Sequence, residues 1–267
     1  MKTHFFYVML IGAILSSCSD YTSIPPSVYG QNRNLIEKPV YEEENASMIH
    51  MAGAFSNLDL KVYGDDDQGN TTVVGDGGNI TSGLLEVSYS QAYEKFSYGV
   101  GLMAATGQYS GEFVSFGPRA GQSISTSGFG IKGNISLDKN TARYTGRLVQ
   151  GQFGFSREFG DYSSQRFEVD YDSLYVIDVL NYPDQFVVDF SISHQSQFRI
   201  EDVRIGIGVG INFSAPNAFG DWLVTSSLFI KPQIGYKMFD LYYMYGTDEV
   251  QPVGNTHILG LAYRFSL

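Results

Sequence analysis

The sequence predicts an all-β protein, a transmembrane antiparallel up-and-down β-barrel of about ten strands (8–12), preceded by a signal peptide and a linker. Three observations predict this class. Large apolar residues alternate with small or polar ones along most of the chain, as in strands with two unlike faces. Short connections alternate with long ones. The polar face carries charged residues, as in barrels that are apolar outside and polar inside.

Residues 1–17 have the features of an export signal. Lys2 precedes an apolar stretch from Phe5 to Leu15, which is too short to span a bilayer as a helix of roughly 20 residues. The sequence Leu15-Ser16-Ser17-Cys18 resembles the bacterial lipobox, and this resemblance implies that Cys18 is lipidated (palmitate-bearing) and becomes the mature N-terminus. The alternative is an ordinary apolar cysteine within the signal. Because Cys18 is the only cysteine, it cannot form an intramolecular disulfide.

Residues 18–45 are predicted to be the lipidated cysteine and a linker, because the segment is polar, contains three prolines and has no sustained period. Residues 46–267 are assigned to the barrel. The formal charge of the chain is −11, and it has no basic run, which argues against nucleic acid as a partner. No metal or other cofactor is expected.

The alternating pattern predicts ten strands, which in chain order are Ser47–Ser56, Ile80–Tyr93, Phe96–Gln108, Ile124–Leu137, Ala142–Glu158, Gln185–Gln195, Phe198–Phe213, Trp222–Tyr236, Leu241–Gly246 and His257–Phe265. Tight turns are placed at Glu94-Lys95, Asp138 to Thr141, around Ser196, and Lys237 to Asp240. The long loops are Asn57–Asn79, Tyr109–Ser123, Phe159–Asp184, Ser214–Asp221 and Thr247–Thr256. Outer-membrane barrels have short periplasmic turns and long outer loops, and an even strand number puts both ends on the periplasmic side.

The distribution of charge distinguishes a barrel from a soluble β-sandwich, which is the alternative fold. A sandwich packs its apolar face inside and leaves its polar face in water. Here the polar face is rich in small residues and carries charges that a packed apolar core would not accept: Glu86, Lys132, Arg147, Asp189, Asp202, Arg204, Lys231 and Arg264. We therefore expect these side chains to line a polar lumen.

The last ten residues, ILGLAYRFSL, are predicted to be the closing strand, with Leu259, Leu261, Tyr263 and Phe265 toward lipid and Arg264 toward the lumen. The spacing of His257, Gly260, Tyr263 and Phe265 resembles the C-terminal insertion signal of outer-membrane proteins. This resemblance implies recognition by the barrel-assembly machinery through Gly260, Tyr263 and Phe265. The chain departs from the usual form by adding Ser266 and Leu267 after the aromatic residue.

With its lipobox, its linker SIPPSVYGQNRNLIEKPVYEEENAS and its barrel pattern, the chain resembles the outer-membrane β-barrel lipoproteins of the Bacteroidota. The resemblance implies a Gram-negative outer-membrane location, with a lipid anchor at Cys18 and the long loops facing the exterior. Asp172-Ser173-Leu174 also fits the short pattern at which such bacteria O-glycosylate exported proteins. Ser173 is therefore a candidate glycosylation site, on a motif of only three residues.

The sequence contains no recognisable catalytic constellation. His257 is expected at the rim, His194 beside a periplasmic turn, and His50 early in the first strand, where it can face the lumen. The architecture resembles the ten-stranded omptin proteases, but no Asp-x-His motif is present. Asp65-Asp66-Asp67 fits a solvated acidic loop tip better than a calcium site, because it lacks the third spaced acidic ligand and the terminal glutamate.

Residues 159–184 form the most unusual predicted loop, because a loop of this length is uncommon without a function and this one is rich in apolar side chains. It is expected to extend as a hairpin, to fold into the barrel mouth, or to dock on another protein. The residues expected to contact a partner are Tyr171, Leu174, Tyr175, Ile177 and Leu180.

These observations favour a non-enzymatic outer-membrane β-barrel lipoprotein, an accessory or structural subunit of a larger secretion, assembly or transport machine. Its expected partners are outer-membrane lipid, the barrel-assembly machinery and another outer-membrane protein. The alternatives are a small diffusion channel and a surface hydrolase. A channel is disfavoured because barrels of eight or ten strands are largely filled by side chains.

Overall fold

The computed structural model describes residues 46–65, 71–110, 123–141, 143–160, 185–216, 225–248 and 255–267. The predicted signal peptide, Cys18 and the linker lie outside these residues, as do Ser173 and the predicted partner-contact residues. Within the described ranges, no helix is long and apolar enough to cross a membrane.

Ten strands form one closed barrel, and every strand pairs antiparallel with its neighbours in chain order. The strands are β1 (Ala46–Asp65), β2 (Thr71–Ala92), β3 (Phe96–Ser110), β4 (Ile124–Thr141), β5 (Tyr144–Phe159), β6 (Gln185–Ile200), β7 (Val203–Pro216), β8 (Thr225–Tyr236), β9 (Phe239–Asp248) and β10 (Asn255–Ser266). The predicted all-β, ten-stranded, up-and-down architecture is confirmed.

The first and last strands close the barrel. β1 pairs with β10 from Met48 opposite Ser266 to Leu58 opposite Thr256, and the Leu267 N–H donates to the Ser47 carbonyl at 3.1 Å. Closure removes the edge strands that an open sheet would present. The start of β1 and the end of β10 both lie at the short-turn end of the barrel, as the even strand count predicts.

The short turns differ in position from two of the predictions. The turn predicted around Ser196 is wrong, because β6 continues to Ile200 and the turn is at Glu201-Asp202, with Glu201 at φ 54°. The polar run SHQSQ resembles a turn, but Gln195 and Gln197 point into the lumen and are buried. The turn predicted at Asp138 to Thr141 is also misplaced, since β4 runs through Thr141.

The first hairpin is longer than predicted. The segment Asn57–Asn79 was expected to be a loop, but β1 continues to Asp65 and β2 begins at Thr71. Polar residues appear on the outward face at Asn57 and Asp59, and the Asn79 amide donates to the Asp59 carboxylate at 2.8 Å. Among the described residues, β1 pairs with β10 as far as Leu58 and β2 pairs with β3 as far as Asn79, while β1 and β2 pair with each other up to Asp65 opposite Thr71.

The outer surface carries a band of exposed aliphatic residues bounded by aromatic ones. On β7 the outward residues from Val203 to Ile211 extend about 20 Å along the barrel axis, given a rise of about 3.3 Å per residue and a tilt of about 40°. At the short-turn end, ring pairs form the lower girdle: Tyr93–Phe96, Tyr144–Phe198 and Phe239–Tyr263. At the other end, Phe129–Phe159 and Phe155–Phe186 form the upper girdle. Aromatic residues concentrate at membrane interfaces, so the two girdles mark the edges of the membrane-spanning band.

One proline interrupts the barrel wall. β8 pairs with β9 at Ser227–Ile230 and again at Gln233–Tyr236, but not at Lys231 and Pro232. Proline has no backbone N–H, so it cannot donate to the strand beside it. The interruption falls within the strand, on the lipid-facing surface.

Restoring the N–H at this position should stabilise the barrel. We expect Pro232→Val to raise the free energy of unfolding by about 1 kcal/mol, because it supplies one ladder hydrogen bond and a β-branched side chain. Urea unfolding in detergent micelles, followed by circular dichroism, measures the change. Ile234→Val, on the same face without a backbone change, is the matched control; a Pro232→Val variant no more stable than wild type would contradict the role given to the missing N–H.

Candidate functional site: the lumen and the closing strand

The lumen is lined by charged and polar side chains that are almost fully buried. Among the described residues, ten Asp, Glu, Lys and Arg side chains point inward, and their charges balance: five are acidic (Glu86, Asp138, Glu158, Asp189 and Asp240) and five are basic (Lys132, Arg147, Arg204, Lys231 and Arg264). The predicted inversion of polarity is therefore confirmed. Of the eight charges predicted to line the lumen, Asp202 is the exception, because it lies exposed in the turn between β6 and β7.

A buried ion pair crosses the lumen side of β3. The Lys132 ammonium on β4 lies 2.5 Å from the Glu86 carboxylate on β2, and both side chains are at most 2% exposed. The Lys132 side chain passes over Gly101 of β3, where an added Cβ would lie 3.3 Å from Lys132 Cε. Glycine at this position thus leaves room for the cation to reach its partner two strands away.

A second charge cluster lies near the short-turn end. The Asp240 carboxylate on β9 accepts hydrogen bonds from Arg204 on β7 (3.2 Å) and from Arg264 on β10. The sequence predicts both arginines in the lumen but places Asp240 at the end of a turn. In the structure β9 begins at Phe239, so Asp240 faces the lumen. Through side-chain hydrogen bonds, this cluster links the closing strand β10 to β7 and β9.

An aromatic residue and a cation lie together in the lumen beside the closing strand. The Lys231 ammonium lies 4.5 Å from the centroid of the Tyr242 ring, within the range of a cation–π contact. Around Tyr242, a cluster of buried apolar residues occupies the lumen: Ala52, Phe229, Met244, Ile258 and Ala262. The Tyr242 ring lies against Gly260, where an added Cβ would collide with the ring. Sequence reasoning missed Tyr242, although its place directly opposite Gly260 could have identified it.

The three residues predicted as an insertion signal lie on β10 in two different environments. Tyr263 points outward in the lower girdle, where its hydroxyl donates to Met238 Sδ at 3.1 Å, and Phe265 points outward two residues further along the strand. Gly260 instead faces the lumen beneath Tyr242. The predicted orientation of the closing strand is confirmed, since Leu261 is 57% exposed and Arg264 only 5%. Recognition by the assembly machinery stays a prediction.

The described histidines are dispersed. His50 faces the lumen and is buried, while His257 Nδ1 lies 2.6 Å from the Tyr243 hydroxyl at the outer rim, as predicted for a rim residue. His194 does not adjoin a turn, because β6 continues six residues beyond it. Within the described ranges no three His, Cys, Asp or Glu side chains are placed to hold a metal ion. Asp66 and Asp67 lie outside those ranges.

No protein-family model and no curated protein matches the chain. Solved structures similar to it include the β domain of the Bordetella autotransporter BrkA (TM-score 0.44, 12% identity, 84% of this chain and 100% of that one). An outer membrane channel from Pseudomonas putida F1 is also similar (TM-score 0.39, 11% identity, 92% and 100%), as is the outer membrane protease OmpT from Escherichia coli (TM-score 0.36, 10% identity, 86% and 99%). At these scores the matches carry no information about activity.

The architecture itself defines the class. A closed antiparallel barrel with an even number of strands, an apolar outer band, aromatic girdles and a charged interior is a β-barrel of the outer-membrane type.

Removing one partner of the buried ion pair should destabilise the barrel. We expect Lys132→Met to lower the free energy of unfolding by about 3–5 kcal/mol, because the Glu86 carboxylate then stays buried without this cation. The double variant Glu86→Gln/Lys132→Met should recover at least half of that loss. Lys139→Met, an exposed lysine of the same strand, is the control; equal effects of Lys132→Met and Lys139→Met in urea unfolding would refute the pairing.

Adding a methyl group to the closing strand beneath Tyr242 should also be destabilising. We expect Gly260→Ala to lower the free energy of unfolding by about 1–3 kcal/mol, because the Tyr242 ring must move away from Lys231. Tyr242→Leu should relieve most of this cost in the double variant. The control is Gly83→Ala, since an added Cβ there meets no atom within 4 Å. If Tyr242→Leu does not relieve the loss of stability caused by Gly260→Ala, the collision is not the cause.

Proposed function

We propose that this chain is an outer-membrane β-barrel lipoprotein, anchored at Cys18, that acts as an accessory subunit of a larger outer-membrane assembly. In this proposal neither the lumen nor the outer rim carries out a reaction. The observation that carries it is the occupied lumen, in which charged pairs and the Tyr242 cluster bury the inward side chains of the described strands.

The packed lumen favours a scaffold over the alternative of a diffusion channel. Inward glycines such as Gly206 and Gly210 do not leave free space, because an added Cβ at either position would lie within 3 Å of a neighbouring side chain. At Gly206 the space is filled by Gln233, and at Gly210 by Phe229 and Ser193. Open porins, in contrast, use roughly 16 or more strands to enclose a water-filled channel.

A second argument for a subunit comes from the sequence. A barrel is held in the membrane by its own strands, so a lipid at Cys18 adds no retention and is better explained by tethering within an assembly. The apolar residues of 171–180 are likewise suited to a protein contact on the outer side.

The subunit proposal predicts a stable complex in native membranes. Extraction of the tagged full-length chain in mild detergent should give a particle larger than the monomer on size-exclusion chromatography, with a stoichiometric outer-membrane partner. Replacing Tyr171, Leu174, Tyr175, Ile177 and Leu180 together by alanine should release that partner, and Cys18→Ala should weaken its retention, while barrel folding is unchanged. Gly83→Ala serves as the folded control.

Two results would contradict the proposal. The first is isolation of wild type as a lone monomer under conditions that keep other outer-membrane complexes intact. The second is a set of stable, salt-dependent openings in planar bilayers, which would establish the channel function instead.

A further inference from the structure

Two polar residues of β6 interrupt the apolar outer band. His194 and Ser196 lie on the outward face of the strand, between Ile192 and Phe198, which are 47% and 56% exposed. Each is partly exposed, so each can be reached from the lipid side of the barrel. Polar groups in contact with lipid are costly unless they bond to one another or serve a function.

A β-bulge in the neighbouring strand holds the histidine. β5 pairs with β6 at Arg147 opposite Gln195 and again at Gln150 opposite Ser193, so Leu148 and Val149 together face the single residue His194. Such a bulge disrupts the ladder locally and makes a main-chain group available to a side chain. His194 Nδ1 lies 3.2 Å from the Leu148 carbonyl oxygen.

This contact fixes the tautomer of the neutral ring. A carbonyl oxygen can only accept a hydrogen bond, so Nδ1 carries the proton and Nε2 of the neutral ring has a free lone pair. His194 Nε2 lies 2.9 Å from Ser196 Oγ, and the Ser196 hydroxyl therefore donates to it. A serine whose hydroxyl donates to an oriented imidazole is an activated nucleophile with its general base.

A tyrosine supplies a third group. The Tyr144 hydroxyl lies 3.0 Å from Ser196 Oγ and donates to it, because the serine proton is directed at His194. The ring packs on Phe198 at a centroid distance of 5.1 Å and lies across Gly146, where an added Cβ would collide with the hydroxyl. Glycine at 146 thus allows a hydrogen-bond donor to stand beside the nucleophile, where it can stabilise negative charge on an attacked carbonyl.

The position of this group suits a lipid ester. Ser196 is one outward position above Phe198 of the lower girdle, about 5 Å along the barrel axis. The girdle lies at the headgroup level of the membrane, and the short-turn end is periplasmic. The surrounding exposed residues are all apolar, as acyl chains require: Leu148, Val149, Ile192, Phe198, Ile207 and Val209.

We propose that Ser196 and His194 form the nucleophile and general base of an acyl-ester hydrolase that acts on glycerophospholipids of the periplasmic leaflet. Ser196 Oγ attacks the ester carbonyl carbon while its proton passes to His194 Nε2. The bond from carbonyl carbon to glycerol oxygen then breaks, and Nε2 returns the proton to that oxygen, releasing a lysophospholipid. Water attacks the acyl-serine with Nε2 as base, and the fatty acid leaves as Ser196 regains its proton.

This activity goes beyond the subunit function and does not depend on it. It uses the outer wall of the barrel, whereas the subunit proposal concerns the lumen, the lipid anchor and the outer loop. It departs from the expectation, drawn from the sequence, of a barrel without enzymatic activity, and the following test decides between them.

The test uses the purified full-length protein in mixed micelles of detergent and phosphatidylethanolamine. A fluorophosphonate probe should label wild type at Ser196, located by peptide mass spectrometry, and fatty acid should be released with lysophospholipid in equal amounts. Ser196→Ala should abolish both signals. His194→Gln should slow both by about 100-fold or more, as expected for loss of a general base.

Two further variants separate catalysis from a structural role. Tyr144→Phe should reduce fatty acid release by about 100-fold, as for loss of one oxyanion donor, and leave the barrel folded. Ser127→Ala, which alters another outward serine that bonds Thr106, should leave labelling and release unchanged. Heat-modifiable migration on gels checks folding in each variant.

The proposal is overturned if the folded wild-type protein is not labelled at Ser196 and does not release fatty acid, regardless of the results for the variants. So would release that survives both Ser196→Ala and His194→Gln. Failure here leaves the subunit test unaffected, because a partner is identified there by the mass of the extracted complex.

Discussion

One requirement governs this structure: every backbone N–H and C=O in lipid must find a hydrogen-bond partner within the protein. Lipid offers no hydrogen bonds, so a β-sheet can span a membrane only if its last strand pairs with its first. The pairing of β1 with β10 meets this requirement, and the Asp240 cluster ties β10 to β7 and β9 from inside. The membrane-spanning band described above departs from regular pairing at two places. One is Pro232, which interrupts the hydrogen-bond ladder between β8 and β9, and the other is the bulge at Leu148.

Closure also determines what the two faces can carry. With lipid outside, the apolar residues point outward, and the inward face must fill a narrow space with polar and charged side chains. Glycines make this packing possible at specific positions: Gly101 lets Lys132 cross to Glu86, and Gly260 accommodates the ring of Tyr242. The packing of Tyr242 therefore requires glycine at position 260, independently of any recognition by an insertion machinery.

Much of the fold could be predicted from the sequence because alternation, loop length and charge all indicated the same architecture. The wall was well predicted along VRIGIGVGINF of β7, where each outward position is apolar and each inward one small or polar. Prediction failed around Ser196 and in the first hairpin, where polar residues on both faces looked like a turn or a loop. His194 was predicted to lie in a strand, but Ser196 was assigned to a turn because the residues around it are polar. The same polarity, on the lipid-facing side, makes this stretch chemically interesting. The partnership of these residues with Tyr144 and with the Leu148 carbonyl depends on strand register and a bulge, which periodicity does not reveal.

The balance of five acidic and five basic groups in the lumen has an electrostatic consequence for the whole molecule. The full sequence carries 28 acidic and 17 basic residues, so its excess of negative charge resides outside this buried set. Mobile ions screen exposed charges over about 8–10 Å but act little on buried pairs. The buried charges of the barrel wall are thus close to indifferent to ionic strength. Changes in salt concentration at the membrane surface should therefore leave the packing of the lumen intact.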